Sequence, residues 1–140
     1  YKFYNPESFL IVLIHWGNEY QETNSSQQQK LAHAMIDAGA DLIIGHHPHV
    51  VQNIELYNEK LIFYSLGNFI FDQYFSEETQ QGLVVGLEIY PEEKIYSIYP
   101  VESVLSQPQL MEEPEEFLEK LASNSSEELR ESIKAGKIIR

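Results

Sequence analysis

The fold is decided by the stretch FLIVLIHWGNEYQETNSSQQQKLAHAMIDAGADLIIGH, which spans residues 9–46. Residues 8–15 and 41–45 are short apolar runs rich in β-branched side chains, a pattern typical of strands buried on both faces. Between them, Ser25 and Gln28 fit a capping box and predict the start of a helix. A strand, a helix and a second strand with short connections predict one right-handed parallel crossover.

The pattern after residue 49 changes to strands with no helix between them. Four segments predict strands, and the polar turns between them predict hairpins in an antiparallel or mixed sheet. These segments are residues 50–57, 61–66, 83–90 and 95–101. We therefore expect an α/β fold of layered sheet and helices, with one β-α-β crossover followed by β-hairpins and C-terminal helices. We place a domain at residues 1–106, followed at 107–140 by a linker (107–114) and a helical tail.

A single crossover is less than a doubly wound sheet needs, and its first strand begins almost at the start of the chain. We expect upstream strands to be missing, so that the chain represents the C-terminal half of a domain. Such a half leaves a sheet edge or apolar surface exposed. The missing N-terminal half, a homo-oligomer or strand exchange would cover it.

The charge of the chain excludes several classes of partner. There are 9 Lys and Arg against 22 Asp and Glu, for a net charge of −13. Nucleic acid and anionic membrane surfaces are bound mainly through Lys and Arg, so neither is expected as a partner. Cysteine is absent, which excludes disulfides and thiolate ligands. No targeting signal is visible. An anionic substrate would need positive charge from another source, such as a bound metal ion.

Four of the five histidines follow the two predicted buried strands: His15 after the first, and His46, His47 and His49 after the second. The carboxyl ends of neighbouring parallel strands meet at one edge of a sheet, where sites form. Pro48 favours extended backbone at His47, and residues two apart in extended backbone point the same way. We therefore expect His47 and His49 to converge while His46 points elsewhere.

Neutral imidazole is the commonest protein ligand of transition metals, so this convergence predicts a metal site. Three imidazoles brought together without a metal would each raise the cost of burying and of protonating the others. We predict His15, His47 and His49 as ligands. His46 is assigned to a supporting or packing role, and His33, on the predicted helix, to solvent.

Three segments resemble the PGA_cap (CapA) family, which is linked to poly-γ-glutamate capsule synthesis. They are HWGNEY at 15–20, GADLIIGHHPHVVQ at 39–52 and IFYSLGNFIFD at 62–72. The resemblance runs from residue 9 to about residue 98. The family in turn is similar in fold to the calcineurin-like metallophosphoesterases, so a fold of that type is implied.

The resemblance assigns roles to the histidines one by one. His15 resembles the superfamily histidine that ends a strand and binds the second metal. His47 and His49 resemble the Gly-His-x-His element, whose first histidine binds the second metal and whose last binds the first metal. His46 stands where that element has its glycine, which supports leaving it out of the ligand set.

The resemblance also implies supporting residues. Asn68 and Asp72 match the SLGNF segment, which we expect to line or support the site. Glu19 matches the acid after HWG. Two interpretations of Glu19 stand side by side: a partner that accepts a hydrogen bond from a ligand histidine, or a solvated loop acid.

The implied function is a dinuclear site for Mn, Fe, Zn or Mg in a metal-dependent phosphoesterase or other hydrolase of capsule synthesis. In the superfamily the bridging Asp, the first Asp-x-His and the Asn-His pair come earlier in the chain, so we assign no catalytic residue to these 140 residues. The alternative is a non-catalytic scaffold or polyanion-binding component of capsule polymer synthesis or export. The resemblance implies a capsule or cell-envelope polymer as partner and a membrane-anchored or extracytoplasmic location.

Overall fold

The structure is a computed structural model that describes residues 8–140. The first seven residues of the predicted domain at 1–106 therefore lie outside the described residues. The elements, in chain order, are β1 (Ile11–His15), α1 (Ser26–Asp37), β2 (Leu42–His46), β3 (Ile54–Tyr57), β4 (Lys60–Phe63), β5 (Gln81–Ile89), β6 (Lys94–Val104), β7 (Gln107–Leu110), α2 (Glu115–Asn124), α3 (Arg130–Lys134) and β8 (Lys137–Ile139). None of the described helices is long and apolar enough to cross a membrane.

The first sheet has the strand order β1-β2-β4-β3. β1 and β2 run parallel and are joined by α1, which confirms the predicted crossover, and β3 pairs with β4 as an antiparallel hairpin. The predicted capping box of α1 is also confirmed. The Ser25 hydroxyl accepts from the Gln28 backbone N–H, and the Gln28 side chain accepts from the Ser25 N–H. The mixed α/β class that was predicted is therefore correct.

The second sheet is built around β6, the longest strand in the described part of the chain. β5 pairs with β6 along its whole length, while β7 and β8 pair with the two ends of β6. The linker predicted at residues 107–114 is wrong in its first four residues, which form β7. The strand predicted at 50–57 begins only at Ile54, and Val51 takes part only in an isolated bridge with Leu66.

Two apolar clusters hold the layers together. The larger lies between the sheets and includes Leu42 and Phe63 from the first sheet and Ile98 from the second, together with Leu121 from α2 and Ile133 from α3. The tail after residue 106 therefore packs into the same core as the strands, although the boundary placed at residue 107 stays a prediction. The smaller cluster lies under α1.

β1 forms one edge of the first sheet, and within residues 8–140 no strand pairs with its outer side. Its side chains alternate between the two faces of the sheet. Ile11 and Leu13 lie on the face that ends in His15, and they are 42% and 71% exposed. The expected exposed edge and apolar surface are thus present at β1.

Candidate metal centre

The carboxyl ends of β1 and β2 bring four histidines to one place. His15 is the register partner of His46, and the Trp16 N–H donates to the His46 carbonyl oxygen at 3.0 Å. The rings of His15 and His47 have centroids 4.6 Å apart, and those of His47 and His49 are 6.0 Å apart. Parallel pairing of β1 with β2 therefore produces the convergence that the sequence predicts, although β1 is half-exposed and not buried on both faces as its apolar run indicated.

These histidines form one side of an open cavity of about 620 Å³. The opposite side is largely apolar and comes from the segment after β4 and from β5. The lining residues are His15, His46, His47, His49, Leu66, Gly67, Asn68, Phe69, Ile70, Phe71, Leu83, Val84 and Val85. This lining contains no Lys or Arg, so among the described residues it offers no fixed cation to an anionic ligand.

Three donor groups in the described chain lie close enough to share an ion. One carboxylate oxygen of Glu19 and one ring nitrogen each of His47 and His49 are all within 4.8 Å of one another. Ligands that each sit about 2.1 Å from an ion are at most about 4.2 Å apart, so small side-chain rotations suffice. Two imidazoles and a carboxylate are chemically suited to a divalent transition metal. The donor set therefore fits the ion that the sequence predicts.

The membership of this donor group differs from the predicted ligand set. His15 is not part of it, although its ring contacts that of His47, and Glu19 takes its place. Neither of the two interpretations of Glu19, a hydrogen-bonding partner or a solvated acid, described it as a ligand; it is exposed, and one of its carboxylate oxygens lies within 4.8 Å of a ring nitrogen of each histidine. The sequence signal for this role was that Glu19 follows His15 closely along the chain, which places both residues at the end of β1.

The turn that carries the ligand histidines does not have the extended backbone that was expected. His47 has a φ of 106° and His49 a φ of 61°, both in the region that favours glycine. The extended backbone predicted around Pro48 is therefore wrong, although both histidines line the same cavity. Pro48 is fully buried, and its carbonyl oxygen accepts from the Tyr20 N–H at 2.8 Å. Such strain persists only where the surroundings fix the conformation, and it is concentrated at functional sites.

Asn68 determines which nitrogen of His49 is free. The Asn68 amide N–H group donates to the Thr79 carbonyl oxygen at 2.9 Å, so its Oδ1 faces His49 Nδ1 at 3.0 Å. That oxygen can only accept, so His49 carries its proton on Nδ1 and leaves Nε2 with a free lone pair. This supports the expected role of Asn68, which is 8% exposed.

The remaining predicted residues lie farther from the donor group. His46 is exposed at the cavity edge, where partial desolvation and the neighbouring His15 lower its pKa from the ordinary value. Asp72 is exposed and lies outside the cavity lining, so the structure does not bring it to the site.

His33 lies apart from this site, as expected, but the prediction that it is solvated is wrong. It is half-buried, its Nε2 lies 2.8 Å from Glu55 Oε1, and its ring stacks on Tyr57 with centroids 3.6 Å apart.

Sequence reasoning missed how closely the chain packs behind the histidines. Trp16 Nε1 donates to the Tyr64 carbonyl oxygen at 2.8 Å, under the point where β2 ends. A Cβ atom on Gly45 would lie 2.0 Å from that oxygen and 2.4 Å from Trp16 Nε1. Glycine is therefore required before the histidine turn, a signal that was visible in the motif but was not interpreted.

The sequence of this chain is similar to those of curated proteins of capsule and polymer synthesis. The capsule biosynthesis protein CapA of Bacillus anthracis is 52% identical to this chain over 75 residues, which cover 54% of the chain and 18% of that protein. The PGA biosynthesis protein CapA of Bacillus subtilis (strain 168) is 53% identical over 75 residues, covering 54% and 20%. A probable polyglutamine synthesis accessory protein of Mycobacterium tuberculosis (strain CDC 1551 / Oshkosh) is 36% identical over 67 residues, covering 48% and 18%.

The matched part of this chain spans about a fifth of the length of these curated relatives. The family profile described as "Bacterial capsule synthesis protein PGA_cap" matches residues 3–73, which is half of the chain and includes all four clustered histidines. By this match the chain belongs to the PGA_cap family of bacterial capsule synthesis proteins.

Proposed function

We propose that this chain supplies part of the divalent-metal site of a hydrolase that acts in bacterial capsule synthesis. The observation that supports the proposal is the donor group of Glu19, His47 and His49, whose ligand atoms lie within 4.8 Å of one another. Imidazole nitrogens favour Zn, Fe or Mn over Mg, which prefers oxygen ligands and its own water shell.

The proposed site is dinuclear. His15 lies outside the donor group of Glu19, His47 and His49, but the centroid of its ring is 4.6 Å from that of His47, so it is placed to bind a second ion beside the first. We assign Glu19, His47 and His49 as ligands of the two ions, and His15 as a ligand of the second ion. The further ligands and the general acid then come from outside these 140 residues.

Metal ions at this position would supply a Lewis acid and lower the pKa of bound water. The chain itself contributes orientation, since Asn68 holds His49 with Nε2 free. It also contributes an apolar cavity wall, formed by residues such as Phe69, Ile70 and Val84. Because that lining carries no Lys or Arg, an anionic substrate would be held by the ions and not by the described side chains.

The substrate and setting are proposals for the whole protein. The relatives named for capsule and PGA biosynthesis support a polyanionic capsule or cell-envelope polymer, such as poly-γ-glutamate, as substrate or partner. The family relationship likewise leads us to propose an extracytoplasmic or membrane-anchored location and an N-terminal half of the domain as the partner that completes the site.

A second candidate function is metal-mediated binding of the polymer without hydrolysis. The described donor group has a single carboxylate, Glu19, and that carboxylate is exposed. A site with few carboxylates leaves coordination positions open to the carboxylates of a polymer, which favours a scaffold or guide role. The net charge of −13 would repel such a polymer unless the ions bridge the two.

Turnover and metal content, measured on the whole protein, separate the two functions. We expect bound divalent metal and hydrolysis of a phosphodiester or of poly-γ-glutamate, with both lost in His47→Ala and His49→Ala and both kept in His33→Ala. Hydrolysis that is unaffected by the two site substitutions would contradict the enzyme proposal. Stoichiometric metal with no turnover would favour the scaffold.

A further inference from the structure

We infer that Gln52 is a positioning residue whose buried amide holds the loop of Glu19 against the histidine turn. The inference rests on the proposed metal site, because it concerns how the carboxylate ligand is presented to His47 and His49. Gln52 lies outside the cavity lining and does not contact the ion-binding atoms itself.

The Gln52 side chain is 1% exposed and fully engaged in hydrogen bonds. Its Nε2 donates to the carbonyl oxygens of Gln21 at 2.8 Å and Thr23 at 3.1 Å. Its Oε1 accepts from Gln28 Nε2 at 2.8 Å. Leaving a buried polar group without its partner is costly, so the loop has little freedom to move away from this amide.

Gln28 fixes which way the Gln52 amide faces. Gln28 is 3% exposed, and its Oε1 accepts from the Ser25 N–H at 2.9 Å as part of the cap of α1. Its Nε2 must therefore point toward Gln52 Oε1, which turns Gln52 Nε2 toward the loop. Gly17 lies against the same amide, since a Cβ atom there would be 2.7 Å from Gln28 Nε2. The cap of the helix and both ends of the loop thus share one network.

Glu19 sits between two fixed points of this loop. On one side the Tyr20 N–H donates to the Pro48 carbonyl oxygen, within the histidine turn. On the other side Gln52 holds the Gln21 carbonyl oxygen. Glu19 is exposed, so the position of its carboxylate relative to the imidazoles depends on the backbone that these two contacts hold.

The decisive test is a double-mutant cycle with Co²⁺ as the probe, read by its visible absorption. We expect Gln52→Leu and Glu19→Gln each to weaken Co²⁺ binding by about tenfold or more and to give the same altered spectrum. In the Glu19→Gln background, Gln52→Leu should weaken binding no further, because the ligand that Gln52 positions is already gone. Ile133→Val, a core change remote from the loop, should reduce stability without altering the spectrum.

Additive losses in the double mutant would overturn the inference, since they would mean that Gln52 acts on the whole fold. Hydrogen exchange of the metal-free chain gives a second readout, in which Gln52→Leu should increase exchange at residues 18–24 selectively. Unchanged exchange there would also overturn it. If Gln52→Leu does not fold, Gln52→Met keeps the length of the side chain but removes its hydrogen-bond donor. A wild-type whole protein that binds no Co²⁺ would refute the proposed function, and the exchange result would then decide the inference alone.

Discussion

At the scale of single residues, the centre depends on two histidines whose backbone is held in the left-handed region. His47 and His49 keep positive φ values because Pro48 between them is buried and bonded to Tyr20. The sequence identified both residues as converging, but for a wrong reason, because periodicity says nothing about a turn fixed by contacts 28 residues away. It placed Glu19 at the site without assigning it to the ion.

The first prediction concerns the tautomer of His49. Asn68→Ala removes the acceptor at Nδ1, so the proton is no longer held there and Nε2 is no longer kept free for metal. We expect metal affinity to fall about tenfold to a hundredfold. Proton–nitrogen NMR spectra of the imidazoles should show His49 protonated at Nδ1 in the wild type and a mixture in the variant. Gln73→Ala is the control, because it removes the 3.3 Å contact to Asn68 Nδ2 and the 3.2 Å hydrogen bond to the Tyr20 hydroxyl but leaves the acceptor at His49 Nδ1 in place; an equal effect in both would argue against the tautomer role.

The second prediction concerns the space behind the turn. Gly45→Ala forces a Cβ atom to 2.0 Å from a buried carbonyl oxygen, so the hydrogen bond between Trp16 and Tyr64 must break. We expect a loss of about 1–3 kcal/mol or more in the free energy of unfolding, with a change in tryptophan fluorescence. Gly86→Ala is the matched control, because a Cβ atom there meets its nearest neighbour at 3.5 Å. Equal stability of the two variants would contradict the packing described.

At the scale of elements, the crossover and the hairpins followed from sequence pattern, whereas the small strands did not. β1, α1 and β2 have strong local signals: continuous apolar runs and a capping box. β7 and β8 have four and three residues, and they are strands only because β6 extends far enough to pair with them. Pairing of that kind depends on tertiary contacts, which propensity does not report.

The third prediction concerns the point where β1, β2 and β4 begin. Burial acts to raise the pKa of Asp41, but the hydrogen bond from Leu10 N–H and the positive charges of Lys60 and Lys94 outweigh it, so the pKa is lowered. A carboxyl whose folded pKa is depressed stabilises the fold above its unfolded pKa, and this contribution is lost as the pH falls through the folded pKa.

Asp41→Asn should therefore lower the free energy of unfolding at neutral pH, and that free energy should then fall less steeply below about pH 4 than in the wild type. Urea denaturation at a series of pH values measures this. Glu92→Gln, an exposed turn acid, serves as the control, and parallel curves for wild type and Asp41→Asn would be the contrary result.

At the scale of the whole molecule, the fold is a sandwich that is open on the side of β1. An exposed sheet edge could be predicted from the sequence, and within residues 8–140 the outer side of β1 is that edge. The arrangement of α2 and α3 against the sheets could not be predicted, because their apolar residues indicate a buried face but not the surface that buries it. Part of the apolar wall of the cavity beside the histidines comes from β5, a strand that begins more than sixty residues after β1 ends.

The fourth prediction follows from that open edge. Among the described residues no strand pairs with the outer side of β1, where Ile11 and Leu13 are exposed, and such edges pair with other strands. We expect this chain to self-associate as its concentration rises, measured by light scattering, and Leu13→Lys to suppress the association. Leu105→Lys, at a turn where the leucine is 82% exposed, should leave it unchanged. A chain that stays monomeric at every concentration would refute the expectation.

The central claim is that Glu19, His47 and His49 hold a divalent metal ion. Anomalous X-ray diffraction from crystals of the chain grown with Mn²⁺ or Zn²⁺ tests it most directly, because it locates the ion without reference to activity. We predict an anomalous peak within about 2.0–2.2 Å of a Glu19 carboxylate oxygen and of ring nitrogens of His47 and His49. No peak there, or a peak confined to another pair such as His33 and Glu55, would contradict the account.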